Sequence, residues 1–247
     1  MMVKNLVSLL IGSSSFFYTF YVIYCLIYFT SGHNENHKAI QTTEDELLMT
    51  IIRKLLMNLY LLFVFMIQHS VMASKFIKSF YKKLFIPEYE RSLYNALSSL
   101  SLDYLIRNWE PVPWIALWEV DTASNNYLWI LFSALHLFGW SVIFSGCCVL
   151  DVTELLGLKQ IYCKLINQPG GLAVKSKEYQ RYLDHMRHPS FVGFMIIFWI
   201  HPYMTIDRFL LSSIMAIYML MMWKIDENDY YYASNVYYKE EQLLKFQ

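Results

Sequence analysis

The chain has 247 residues, 56% of them hydrophobic and 16% charged, and its formal net charge is zero. A soluble domain of this size carries about a quarter charged residues, so this composition excludes a water-soluble globule and predicts a membrane protein. The charge balance contains no basic block and gives no electrostatic footing for nucleic-acid binding; a mean hydropathy of +0.31 agrees with a bilayer setting.

A helix rises about 1.5 Å per residue, so about 20 residues cross about 30 Å of hydrocarbon. Six apolar stretches predict six membrane helices, at about 6–29, 55–73, 92–108, 127–150, 190–206 and 209–223. The expected fold is an all-α polytopic six-helix bundle, one integral membrane domain over 1–247. The first run follows a single Lys and is too long for a signal-peptide core, which predicts a retained anchor.

The second run carries Gln68-His69-Ser70, the third Asp103 and several serines, and the fourth His136. Polar and ionisable groups at membrane depth are costly and face the bundle interior. There Gln68, His69 and His136 either hydrogen-bond between helices or line a pocket, and the third run needs shielding by its neighbours. Trp109-Glu110-Pro111-Val112-Pro113-Trp114 reads as an interfacial elbow, with two prolines stopping the helix and two indoles at headgroup depth. In the 151–189 loop, Leu155, Leu158, Ile161, Tyr162 and Leu165 have helical spacing, which predicts one interfacial helix along the membrane surface. A Pro169-Gly170-Gly171 turn and an amphipathic stretch from Tyr179 to Arg187 follow. Cys25, Cys147, Cys148 and Cys163 lack ligand spacing, so neither a disulfide framework nor a metal site is expected.

Fifteen of the twenty Lys and Arg residues lie in the N-terminus, the 74–91 and 151–189 loops and the tail from Lys224. This bias predicts both termini on the cytosolic side, which is continuous with the nucleoplasm. Arg187-His188-Pro189 before the fifth run and Asp226-Glu227-Asn228-Asp229 after the sixth then meet at one face, because a two-helix hairpin returns its ends to the same side. Proline suits the first helical turn, and the free N–H groups there favour an anion beside Arg187. His188 adds a hydrogen bond or a proton-transfer group, and Gly193 permits close approach of a helix or a flat ligand. The plainer alternatives are an Arg on lipid phosphates, a helix-packing glycine, and an acidic turn that is solvated or pairs with Arg187 or Arg181.

Gln68-His69-Ser70-Val71-Met72-Ala73, Arg91-Ser92-Leu93-Tyr94, Trp109-Glu110-Pro111, Gly157-Leu158-Lys159-Gln160, Arg187-His188-Pro189 and Asp207-Arg208-Phe209-Leu210-Leu211 have the order and spacing of one family. Over a stretch from about Leu55 to the tail, the chain resembles the nurim family of multi-pass inner nuclear membrane proteins. That family is similar in turn to membrane methyltransferases acting on isoprenylcysteine carboxylates and on methanethiol. These bind S-adenosylmethionine between an Arg-His-Pro-x-Tyr-x-Gly helix start and a Glu-Glu segment. By that resemblance Arg187, His188 and Gly193, with Phe191 in the aromatic place, would face Asp226-Glu227 across the cofactor. Arg187 would hold the cofactor carboxylate and Glu227 its amino group. Ser234-Asn235 stands where the enzymes carry Phe-Gly, and Val152 where the thiol methyltransferases carry His. The resemblance implies an inner nuclear membrane protein, held by helix contacts or lamina partners, with no established catalysis and a full or vestigial cofactor pocket. Its alternatives are an S-adenosylmethionine-dependent methyltransferase for a lipophilic thiol or carboxylate, and a lipid- or sterol-binding protein.

Overall fold

The computed structural model describes residues 2–32, 43–84, 86–149, 151–168, 175–185, 190–222, 224 and 226–245. The first apolar run forms α1 (Met2–Ser31). The second, α2 (Glu44–Met72), starts well before the predicted 55, so 44–54 is helix and not loop. The reason is a capping sequence: the Thr43 hydroxyl accepts from Glu46 N at 3.4 Å, and Glu44, Asp45 and Glu46 sit at the positive helix end. A short amphipathic α3 (Lys75–Lys83), capped by Ser74, and a 3-10 turn (Pro87–Tyr89) lead into α4 (Glu90–Asn108). The fourth run forms α5 (Asn126–Val149).

Helices α1, α2 and α5 are long and apolar enough to cross a bilayer. They leave side chains such as Phe17, Tyr28 and Leu137 largely exposed, the surface a lipid environment covers. The α4 helix is long enough but polar on the faces it turns to α1 and α2. Ser15 Oγ donates to the Ser92 carbonyl at 2.6 Å, Ser99 Oγ donates to Thr19 Oγ1 at 3.1 Å, and Ser101 Oγ donates to Gln68 Oε1 at 2.9 Å. The third run is therefore shielded by its neighbours, as its serines require.

The 151–189 loop holds two short helices where the sequence predicts one, α6 (Val152–Leu155) and α7 (Leu158–Leu165), followed by α8 (Lys177–His185). The break falls at Gly157, whose φ of 88° suits only glycine without strain. A Cβ there would stand 2.5 Å from Ser92 N, so the glycine also lets the loop touch the start of α4. The Pro169-Gly170-Gly171 turn lies outside the described residues.

The predicted 190–206 span is not one helix. It comprises α9 (Phe191–Trp199), about 14 Å long and too short to cross, a bend at His201-Pro202, and the strand β2 (Tyr203–Thr205). Proline biases the residue before it out of the helical region, which favours an end to the helix here. The β2 strand pairs antiparallel with β1 (Ala116–Glu119), so the fold is not purely α. Asp207 and Arg208 are not a connecting loop but the first turn of α10 (Ile206–Met221). The tail forms a further helix, α11 (Glu227–Lys245), which its tyrosine-rich polar composition conceals. Among the described residues three helices, α1, α2 and α5, have crossing length and apolarity, and α4, α9 and α10 pack against them.

Two apolar cores share α10. Leu61, Leu62 and Phe65 meet Leu105 and Leu211 in one, and Trp140 and Ile143 meet Ile197, Phe198 and Met219 in the other. Between these helices the 109–114 elbow is held by side chains. Fully buried Asn58 donates to Glu110 O at 2.8 Å and accepts from Glu110 N at 2.9 Å. Asp207, also buried, accepts from Trp109 Nε1 at 2.9 Å and Val112 N at 3.1 Å. Lys54 donates to Pro111 O at 3.1 Å, and Tyr203 Oη donates to Pro113 O at 2.9 Å. Trp109 thus packs inward, edge-on to Phe29. Replacing Asn58 with Leu leaves the Glu110 N–H and C=O unpaired, at a cost of roughly 2–5 kcal/mol. A thermal unfolding midpoint in detergent unchanged by Asn58→Leu would show that the elbow does not depend on this pair.

Candidate functional site

At the end of the bundle formed by the 151–189 loop and the tail, charged side chains join the short helices. Asp151 adopts a φ of 66° to cap α6. Its carboxylate accepts from Lys159 Nζ at 2.5 Å, Thr153 Oγ1 at 2.6 Å and Thr153 N at 3.1 Å. The Lys159 hydrogen bond foremost, then the Thr153 hydroxyl, hold the Asp151 pKa down at about 2. Lys159 is raised in return, chiefly by that same bond, and reaches buried Glu154 at 3.6 Å.

The acidic turn at 226–229 docks α11 onto α8. Arg181 pairs with Asp226 and lies 3.9 Å from Asp229. Asp226 N donates to Asp229 Oδ2 and Asp229 N to Asp226 Oδ1, each at 3.1 Å. The rings of Tyr182 and Tyr232 lie 6.0 Å apart beside this joint. Burial first, and then the Asp229 charge, raise the Tyr182 hydroxyl pKa. Glu227 is exposed in the first turn of α11.

Arg187 and His188, with Pro189, lie outside the described residues. Gly193, two residues into α9, is where that helix touches α5. A Cβ on it would come 2.6 Å from both the Gly139 carbonyl oxygen and Ile143 Cγ1, so the space beside Gly193 is filled by protein. In α2, Gln68 Oε1 accepts from Ser101 Oγ at 2.9 Å, and His69 Nε2 lies 2.8 Å from Tyr94 Oη. Both bonds tie α2 to α4. His136 Nε2 accepts from Trp140 Nε1 at 3.0 Å, and the His136 ring lines a cavity of about 800 Å³ between α1, α5 and the 200–202 bend.

A second cavity, of about 560 Å³, lies between α1, α4, α9 and α10. Asp103, Arg107, Asp207 and Arg208 stand in its wall. Sequence reasoning took Asp207 and Arg208 for a connector and passed over Lys54 and Asn58. The available signal was an amide inside an apolar run, because a polar group at membrane depth needs a partner.

Among the described residues, the segments that carry the family resemblance meet in pairs. The 68–73 segment meets 91–94 through His69 and Tyr94. The 91–94 segment meets 157–160 through Ser92 and Gly157, and 109–111 meets 207–211 through Trp109 and Asp207.

Long apolar helices with lipid-facing flanks, joined by polar side chains turned inward, define an integral membrane protein. The chain is 36% identical to a Nurim homolog from Drosophila pseudoobscura pseudoobscura over 247 residues, covering 98% of each chain. It is 35% identical to a Nurim homolog from Drosophila melanogaster, covering 91% of this chain and 90% of that one. With Nurim from Homo sapiens it shares 36% identity over 185 residues, 74% of this chain and 70% of the other. The chain belongs to the nurim family. No family model matches it, and no solved structure matches it.

Substituting Gly193 with Ala forces the Gly139 carbonyl and α5 to move, costing about 1–3 kcal/mol. Unfolding midpoints of Gly193→Ala and wild type in the same detergent measure this, and equal midpoints would contradict the packing role. The depressed Asp151 pKa makes its contribution to stability complete above the ordinary carboxylate value of about 3.9, and the contribution fades as pH falls through about 2. Hydrogen exchange corrected for intrinsic rate should show amides 153–154 losing protection across that acidic window in wild type. An Asp151→Asn chain, which lacks the titrating group, should show no such step.

Proposed function

We propose that this chain is a multi-pass protein of the inner nuclear membrane with an architectural role and no catalysis of its own, its termini facing the nucleoplasm. The observation that carries this reading is that the segments resembling the family, so far as they lie among the described residues, meet as contacts between helices and loops. A polar motif kept for catalysis would aim its groups at a substrate. Here His69, Ser92, Trp109, Gly157 and Asp207 are engaged with other parts of the chain. Retention at the envelope then rests on helix contacts or on partners at the lamina, and the fifteen-to-five distribution of Lys and Arg supports the orientation.

The described residues offer little support for an S-adenosylmethionine pocket. Asp226 is paired with Arg181, and the space beside Gly193 is occupied by Gly139 and Ile143. No methyl-transfer step is derived from this arrangement.

A fluorescent fusion expressed in cells should mark a continuous nuclear rim that survives salt extraction, and signal spread evenly through the reticulum would reject the assignment. Isothermal titration of S-adenosylmethionine to millimolar concentration against the purified chain should give no binding heat. Binding that disappears in both Arg187→Ala and Glu227→Gln would replace this reading with the methyltransferase one.

A further inference from the structure

We propose that α3 lies flat on the bilayer where α2 ends and binds anionic phospholipids there, with Phe76, Phe80 and Leu84 in the lipid and Lys75, Lys82 and Lys83 at the phosphates. The helix divides into two sides. Phe76, Phe80 and the capping Leu84 recur every four residues along one side, flanked by Ile77 and Tyr81. Lys75, Lys78 and Lys82 recur at i, i+3 and i+7 on the opposite side, and Lys83 stands at the boundary. No residue of α3 is buried, and Phe76, Phe80 and Leu84 are 78%, 51% and 50% exposed. A strip of large apolar side chains without protein cover, backed by lysines, is the make-up of an interfacial helix.

The position of α3 names what covers that strip. The α2 helix is long and apolar enough to cross a bilayer, and only Ala73 and Ser74 separate it from α3. Two residues span at most about 7 Å, so α3 cannot leave the surface at which α2 emerges. Ser74 makes the break between the two helices. Its backbone is extended, with φ −69° and ψ 152°, and its hydroxyl accepts from Ile77 N at 3.4 Å to cap the new helix.

Charge on the lysine side selects the headgroup. The α2 helix has no carboxylate after Glu46, and the acids that follow α3 are Glu88 and Glu90. Glu90 Oε1 lies 3.9 Å from Lys78 Nζ, and among the described residues no carboxylate comes within ion-pair distance of Lys75, Lys82 or Lys83. Setting both acids against the four lysines leaves two positive charges, and Arg91 adds a third. Anionic headgroups answer that surplus, and zwitterionic ones carry no net charge to do so. Lysine stems can run along the apolar side while their ammonium groups reach the phosphates. An acidic protein partner would match the lysines and leave Phe76 and Phe80 uncovered. The contact depends neither on the compartment that α3 faces nor on residence at the nuclear envelope.

The test follows hydrogen exchange in the full chain, held in nanodiscs of dioleoyl phosphatidylcholine alone or mixed with dioleoyl phosphatidylserine. A nine-residue helix is marginal in water, so protection of the amides from Lys78 to Leu84 reports its contact with lipid. Exchange there should be slower by about tenfold in the mixed discs. At about 1 M salt, where the screening length falls to about 3 Å, most of that gain should vanish. Replacing Lys75, Lys82 and Lys83 together with Gln leaves the Lys78–Glu90 pair in place and should remove the gain. Phe76→Ser with Phe80→Ser should speed exchange in both kinds of disc. Equal exchange of the wild type in the two kinds of disc would leave the lysines to an acidic protein and overturn the proposal. A gain that survives the triple Gln variant, or protection that survives loss of both phenylalanines, would overturn it as well.

Discussion

Where water is excluded, every N–H and C=O group must find a partner within the protein, and irregular backbone persists only where side chains supply those partners. The elbow at 109–114 depends on this constraint. Its two prolines remove N–H groups and stop α4, and Asn58, Lys54, Asp207 and Tyr203 take up peptide groups that no helix can. Those four side chains come from α2, β2 and α10. The elbow is therefore the point at which the first half of the chain is fastened to the second.

The same constraint accounts for the small sheet. At the His201-Pro202 bend the peptide groups after α9 lose their helical partners. Pairing of β2 with β1 restores them, together with the Val120 N to Pro202 O bond at 2.8 Å and the Trp118 Nε1 to His201 O bond at 2.9 Å. Arg208 does the equivalent for the end of α1. At the opposite end, where the chain extends into the 151–189 loop and the tail, charge does more of the work. Lys159 with Asp151, and Arg181 with Asp226, join the short helices there. Partly exposed pairs of this kind contribute little each.

Several polar residues of the apolar runs serve contacts between helices. His69 and Gln68 do so, and His136 bonds within α5. Each stands out in an apolar run, and each has a neighbouring side chain as hydrogen-bond partner. His136 also lines a cavity. Asp207 and Arg208, in a segment that local sequence presents as a mere connector, stand in the wall of the other cavity.

Composition and local pattern determined the membrane class, the positions of α1, α4, α5 and α10 to within a few residues, and the need to shield the third run. These follow from hydrophobic length and from the cost of polar groups in lipid, both legible along one strand of text. The earlier start of α2 is legible too, in the Thr43 cap and the acidic first turn. Tertiary structure alone decided that the fifth run breaks after nine helical residues, since β2 gains its partner from β1, far away in the chain. It likewise decided that Gly193 is filled by α5, that Asp226 belongs to Arg181, and that Arg208 is left facing a cavity. The physical reason is common to all of these. A side chain's role is set by which group reaches it first in space, and sequence order does not encode that distance.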